Sequence, residues 1–328
     1  NFADKLTVNA GFRLDGNTFS KNMQNPLNQF SPRVSASYNI FNNLNLNTSI
    51  GRYYQLPAYT TLGYRDNENN LINKNIEYIG INQASVGFDN LFGKSIYLSA
   101  EGFYKQYFNY PIDTITGNSL ANSGADYFVA GATPVVNSGK GRAYGFEILN
   151  RINVQGFFFI LSYTYVISEF TNILGEYRPS SWDSRHLLTI TASKELSKNW
   201  RIGFKWRFVG GLPYTPYNLD YSSIVQAWDA NLKPYLDYSK LNTLRFKPFH
   251  QLDVRVDKNF YFKKFTLMLY FDVQNAYNFQ AQQQNYVIRE KNEDGTFKKI
   301  DNGTRYVLKQ VENFGGTVLP TIGIIVKI

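Results

Sequence analysis

The spacing of its breaks constrains this chain more than any motif. Stretches of about ten residues with period-2 alternation are joined by turns that are short, then long, then short again. Short joins fall at Asn42-Asn43, Asn90 to Lys94, Asn153 to Gly156, Ser197 to Asn199 and Tyr261 to Lys264. Long ones fall near 15–32, 54–76, 107–139, 170–183, 212–248 and 280–317. An antiparallel up-and-down meander with its hairpin turns at one end and its large loops at the other has this rhythm. About twelve strands are predicted, at 5–14, 33–41, 44–53, 77–89, 94–106, 140–152, 157–168, 184–196, 200–211, 249–260, 265–275 and 318–328.

Each stretch carries one apolar and one hydrated face. Leu44, Leu46, Thr48 and Ile50 alternate with Asn45, Asn47, Ser49 and Gly51, and Ile202, Phe204, Trp206 and Phe208 alternate with Arg201, Gly203, Lys205 and Arg207. Successive strand residues point to opposite faces, so the pattern fits two folds. A soluble sandwich turns the apolar face inward; a membrane barrel turns it toward lipid and keeps the polar face in the lumen. Aromatic content favours the barrel. There are 25 tyrosines and 26 phenylalanines in 328 residues, and they gather at strand ends. Phe41, Phe88, Phe92, Phe157, Trp200, Phe260, Phe262 and Phe265 lie beside the short turns. Tyr53, Tyr104, Tyr144, Tyr165, Phe208 and Phe249 lie toward the long loops. Two aromatic bands are what the two membrane interfaces select. The fold class expected is therefore all-β, a transmembrane antiparallel up-and-down barrel.

Composition removes other classes. The longest apolar run, Phe157 to Leu161, is far short of the ~20 residues a transmembrane helix needs. Mean hydropathy is −0.34, which excludes a helical membrane protein and suits a barrel in which every second residue meets water. The absence of cysteine removes disulfides and thiolate metal sites. The net charge of +9 is spread over many elements, so no nucleic-acid stripe is assigned. Asn1-Phe2-Ala3-Asp4 runs directly into a strand with neither initiator Met nor signal peptide, so a mature product or part of a longer chain is expected.

Several motifs, in order, resemble the barrel of TonB-dependent receptors. They are Ser31-Pro32-Arg33-Val34-Ser35-Ala36-Ser37-Tyr38, Gly51-Arg52-Tyr53-Tyr54-Gln55-Leu56-Pro57, Gly141-Arg142-Ala143-Tyr144-Gly145-Phe146-Glu147 and Pro179-Ser180-Ser181-Trp182-Asp183-Ser184-Arg185-His186. Further on come His250-Gln251-Leu252-Asp253-Val254-Arg255, Tyr270-Phe271-Asp272-Val273-Gln274-Asn275 and Leu319-Pro320-Thr321-Ile322-Gly323-Ile324. The Asn-, Tyr- and Lys-rich style is similar to Bacteroidetes receptors preceded by a carboxypeptidase-regulatory-like domain. The resemblance implies a 22-stranded barrel filled by an N-terminal plug and powered through TonB. Residues 1–328 would be the C-terminal portion of that barrel. It also implies a Gram-negative outer membrane, partners in outer-membrane lipid, the TonB complex, an extracellular ligand and a surface lipoprotein lid, and import of a scarce nutrient such as a siderophore, glycan or peptide. A complete, plugless diffusion channel of about twelve strands is the alternative, and a lipid-face hydrolase a third and weaker one.

Chemistry-bearing residues are few. His186 and His250 share parity with apolar stripes and should point outward, about 10 Å apart, too far for one metal ion. The strand between them has no serine that a hydrolase would need. No catalytic residue, metal or cofactor is assigned, and the chain is not expected to be an enzyme. By parity Arg33, Glu147, Arg151, Arg207, Asp253, Arg255 and Asp272 face the lumen, where they are expected to pair across strands and to hold a plug. Loop aromatics Tyr54, Tyr59, Tyr64, Trp182, Tyr214, Tyr217 and Trp228 are the substrate-binding candidates, because Tyr and Trp offer large contact area with a polar tip.

Overall fold

The computed structural model describes residues 5–41, 43–123 and 131–328. Asn1 to Asp4, Asn42 of the first short turn and 124–130 of the third long loop lie outside the described residues. Twelve long strands follow one another in a single antiparallel sheet. They are β1 (Leu6–Arg13), β2 (Ser31–Phe41), β3 (Leu44–Gln55), β4 (Ile79–Phe92), β5 (Ile96–Asp113) and β6 (Val135–Val154). The series continues with β7 (Phe157–Thr171), β8 (Arg185–Leu196), β9 (Trp200–Val209), β10 (Phe249–Tyr261), β11 (Thr266–Gln274) and β12 (Leu319–Lys327). Each pairs with its sequence neighbours, and the short strand Tyr177–Pro179 adds to the outer end of β7. Among the described residues β1 pairs only with β2, and β12 only with β11.

The tight turns are built where the chain can take positive φ. Gln155 and Gly156 (46° and 72°) close β6 onto β7, and Lys198 and Asn199 (58° and 63°) close β8 onto β9. Paired left-handed residues match the right-handed strand twist at a hairpin. At the other end strands overshoot. β5 and β6 run for 18 and 20 residues, well past the ~9–11 that cross a bilayer. One expected loop holds more structure than its sequence indicated. Within 280–317 the strands Ala281–Arg289 and Leu308–Gly315 form a hairpin of their own.

Register fixes the facing. Val34 lies opposite Ile50, and Ile50 opposite Ala84. Farther round the wall, Phe204 lies opposite Val254 and Phe271 opposite Ile322. Residues directly opposite share a face, so one apolar surface runs across the whole sheet. It is not a core, since Ile50 is 66% exposed, Val86 53% and Ile324 66%. The polar row Ser35, Ser49 and Ser85 and charges such as Arg33, Glu147 and Arg207 occupy the other face. A sheet with its apolar side outward is a barrel wall facing hydrocarbon. Among the described residues, buried apolar clusters lie at the long-loop end, around Met23, Leu62, Ile76 and Tyr78, and around Trp228, Val287 and Tyr306.

Aromatics ring both margins, with two departures from expectation. Tyr104 and Tyr144 (6.1 Å), Phe146 and Tyr165 (5.9 Å) and Trp206 and Phe208 (6.1 Å) pack along the outer margin of the apolar face. Tyr53 instead turns to the polar face beneath Arg33, and Phe249 shares that parity opposite Val209. Residue parity decides this, and nearness to a long loop does not.

Candidate functional site

Two regions collect polar chemistry: the inner wall and the layer of long loops. On the wall, Arg33 of β2 sits across from Gly51, with its guanidinium 4.9 Å from the Tyr53 ring. A Cβ at Gly51 would lie 3.1 Å from the Tyr53 ring and 3.3 Å from Arg33 Cγ, so the glycine makes room for that stack. Arg33 Nε is buried with no partner. On β6, Arg151 stands over Tyr97 at 5.5 Å. Glu147 lies directly opposite Glu101 and shares with it and Asp89 a cavity of about 300 Å³. Two carboxylates in facing register repel unless a cation comes between them.

The other wall cluster spans β9 to β11. Arg207 reaches Asp253 at 3.7 Å, and Asp253 also accepts from Gln251 Nε2 at 2.6 Å and Asn275 N–H at 3.1 Å. Arg255 pairs along its own strand with Asp257 at 2.8 Å and lies 4.1 Å over the Tyr270 ring. Asp272, across from Arg255, is bypassed by that arrangement, and its Oδ1 is buried without a partner, as is Arg207 Nε. Cross-strand pairing is thus only part of the pattern. A cavity of about 250 Å³ is lined here by Lys205, Arg201, Asp253, Arg255 and Asp272. The wall holds both charge signs with polar atoms left over.

Loop aromatics divide by exposure. Tyr59 (80% exposed) and Trp182 (63%) stand in solvent. Tyr54 lies within β3 rather than in a loop, edge-on to Phe108 at 5.9 Å and against the Met23 cluster. Tyr64 is half-buried, and its carbonyl accepts from Ile72 N–H at 3.1 Å. Tyr214 stacks flat on Phe246 at 4.2 Å. Trp228 is 4% exposed and forms a small core with Val287 and Tyr306, against which Tyr217 packs.

That loop core carries a group the sequence did not single out. Arg289 lies 3.6 Å from the Phe297 ring, 4.9 Å from Tyr306 and 5.7 Å from Trp228, and pairs with Asp229 at 3.3 Å. A cavity of about 630 Å³ opens beside it, lined by Trp228, Leu232, Arg289, Lys291, Phe297 and Lys309. The short apolar runs Tyr286-Val287-Ile288 and Tyr306-Val307-Leu308, each followed by a basic residue, were the available signal.

Asp183 fastens the loop layer to the wall. It is fully buried, accepts the Ser168 N–H at 2.9 Å, and pairs with Arg185 at 3.0 Å and with Arg245 of the long loop. Asn242 donates to Pro179 C=O at 2.9 Å and to Asn122 C=O at 3.3 Å, tying the same loop to two others.

Both histidines lie on the apolar face near its outer margin. Tyr163 OH meets His186 Nδ1 at 2.9 Å, and Tyr277 OH meets His250 Nδ1 at 2.7 Å. Among the described residues no cluster of three or more His, Cys, Asp or Glu side chains is arranged to hold a metal ion.

Residues 1–276 match the family described as TonB dependent receptor-like, beta-barrel. No curated protein sequence matches the chain significantly. Solved structures do. The pyoverdine outer-membrane receptor FpvA of Pseudomonas aeruginosa superposes with a TM-score of 0.58 at 15% identity, over 98% of this chain and 40% of that one. The siderophore receptor PiuA of Acinetobacter baumannii gives 0.55 at 14%, over 91% and 36%. The ferric-catecholate import receptor Fiu of Escherichia coli gives 0.54 at 14%, over 98% and 42%. At such identities the likeness is one of fold, and this chain spans well under half the length of each of these structures.

Proposed function

We propose, for a chain that belongs to the TonB-dependent receptor β-barrel family, that these residues form the C-terminal portion of the wall of an outer-membrane importer. The full wall would be the 22-stranded barrel of that family, plugged from its N-terminal side. The observation that carries this reading is the pairing of an exposed apolar outer face with an inner face whose buried polar atoms, Arg33 Nε, Arg207 Nε and Asp272 Oδ1, lack partners. Buried polar groups are normally satisfied, and a plug domain seated against the wall would satisfy these. The outer edge of β12, which among the described residues pairs only with β11, supports the same reading, because an open edge in hydrocarbon costs several kcal/mol per unsatisfied group.

In this account the outer loops capture a scarce nutrient, TonB energises displacement of the plug, and the ligand passes along the polar wall. Tyr59 and Trp182, the exposed members of the seven loop candidates, are its first contacts, while Tyr54, Tyr64, Tyr214, Tyr217 and Trp228 shape the loops behind them. No covalent step is involved. Siderophores are one ligand class for such loops, in keeping with the likeness of the fold to PiuA, a siderophore receptor. The Asn-, Tyr- and Lys-rich strands favour a Bacteroidetes-type receptor, with a lipoprotein lid as a partner.

Conductance of the full-length receptor in planar bilayers tests this. A closed wild type that becomes leaky when Arg33, Arg207 and Asp272 are replaced together by Ala supports a plugged importer. A steady open current from the wild type would replace it with a diffusion channel.

A further inference from the structure

We propose that the short-turn rim of β8 to β11 is a docking site for an anionic phospholipid of the periplasmic leaflet. Two lysines interrupt the apolar face there. Lys194 lies on it between Phe157 and Ile202, and Lys258 between Trp200 and Leu269. They are about 10 Å apart across the strands and one pleat apart along them. A cation on the lipid face costs ~2–4 kcal/mol at mid-membrane and close to nothing at the rim. Lysine can bury its stem and lift its ammonium to the headgroups.

The contacts place both ammonium groups at the rim. Lys194 Nζ donates to Gln155 C=O at 2.8 Å, in the turn between β6 and β7. Lys258 Nζ donates to Lys198 C=O, in the turn between β8 and β9. An ammonium has three donors, so each keeps two after its turn carbonyl is served. Lys258 Nζ also lies 5.2 Å from the Trp200 ring and 5.4 Å from Phe260.

More positive charge surrounds this pair. Lys198 lies in the adjoining turn, and Lys263 and Lys264 in the next, all exposed and without an ion pair among the described residues. The nearby carboxylates are already engaged on the inner face, Glu195 with Arg201 at 2.5 Å and Asp257 with Arg255 at 2.8 Å. Exposed Trp200, Phe262 and Phe265 supply the aromatic body of an interfacial belt at the same margin. The short turns from β2 to β5 carry only Lys94 among their described residues. Charge complementarity therefore selects an acidic headgroup, and the flanking aromatics place it on a lipid. The inference goes beyond nutrient import and rests only on the orientation of the wall.

The test is native mass spectrometry of the full-length receptor, carried in mixed micelles of phosphatidylglycerol and phosphatidylcholine. Retained lipid should favour phosphatidylglycerol by about ten-fold at low salt, since each lysine near a lipid surface contributes of the order of a five-fold preference before screening. Joint replacement of Lys194, Lys258, Lys263 and Lys264 by Gln should bring the ratio near one, and replacement by Arg should retain it. Joint replacement of Lys291, Lys298, Lys299 and Lys309 by Gln, an equal charge change on the outer loops, should leave it unchanged. Equal retention of the two lipids by the wild type, or a preference that survives the rim Gln variant, would overturn the site. Failure of the wild type to enter micelles as a folded barrel would instead count against the wall reading itself.

Discussion

Val86 and Ser85 are adjacent on β4, yet arginine at the two positions should have very different effects. Val86 points outward, 53% exposed, with Thr48 and Gly102 opposite and Ala84 and Phe88 two residues away on the same face. Nothing polar beyond the Thr48 hydroxyl lies beside it, and the hydroxyl is spent on Ser85 C=O at 3.2 Å. A guanidinium there must enter hydrocarbon or snorkel several residues to a margin, at ~2–4 kcal/mol. Ser85 points inward between Ser49 and Phe103. Its hydroxyl meets Ser49 Oγ at 2.9 Å, so Ser85→Arg loses one hydroxyl bond worth ~0.5–1.5 kcal/mol and puts the new charge in a hydrated space. The expected gap of about 2 kcal/mol is a roughly thirty-fold difference in the folded-to-unfolded ratio. Guanidinium unfolding of the full-length receptor in lipid vesicles, followed by tryptophan emission, reads it directly. Equal losses at the two positions would refute the facing, and a larger loss at Ser85 would mean that the apolar face is a core after all.

Other expected outcomes address the loops. Asp183→Asn leaves Arg185 and Arg245 without their shared carboxylate; a fully buried pair would cost ~3–5 kcal/mol to break, but both arginines are about one-third exposed, so about 2 kcal/mol is expected. The sign is read as faster hydrogen exchange over 212–248, and unchanged exchange would contradict the clamp. Trp182→Ala, which removes an exposed ring, should weaken ligand capture by about ten-fold or more, as for an interface anchor, without altering thermal stability. Asp237 has its carboxyl held below the ordinary range, chiefly by the Ser239 hydroxyl. A depressed value stabilises the turn above the unfolded carboxylate pKa of about 3.9, and that contribution is lost as pH falls through the folded value. Protection of the Ser239 amide should therefore persist at pH 5 and vanish only in strong acid; loss near pH 5 would argue against it.

Alternation and turn spacing carried most of the fold, for a physical reason. Facing is set by parity, so Ile50 and Phe204 could be placed on the apolar face of their strands from local sequence alone, the aromatic bands argued that this face is the outer one, and their registers agree. Strand ends were less legible. β5 continues to Asp113 and β6 begins at Val135, because strands leaving the bilayer need no apolar alternation to keep pairing. The hairpin within 280–317 shares that difficulty, since its runs are short and polar between apolar positions. The loop layer was the least legible part. Trp228 and Tyr217 look like contact aromatics in sequence, yet a small core of non-local partners, Val287 and Tyr306, takes them inward. Asp183 lay within a motif whose role only a residue 62 positions away, Arg245, explains.

Orientation in the outer membrane is the claim on which the rest depends. Leu232, 73% exposed, belongs to the long-loop end, and Lys264, also exposed, to the short-turn end. Single cysteines at these two positions can be probed in intact cells with a membrane-impermeant maleimide, because these 328 residues contain none of their own. Leu232→Cys should label in intact cells, and Lys264→Cys only after the outer membrane is permeabilised. Labelling of Lys264→Cys alone in intact cells would invert the wall, and prompt labelling of neither even after permeabilisation would contradict a surface-exposed barrel.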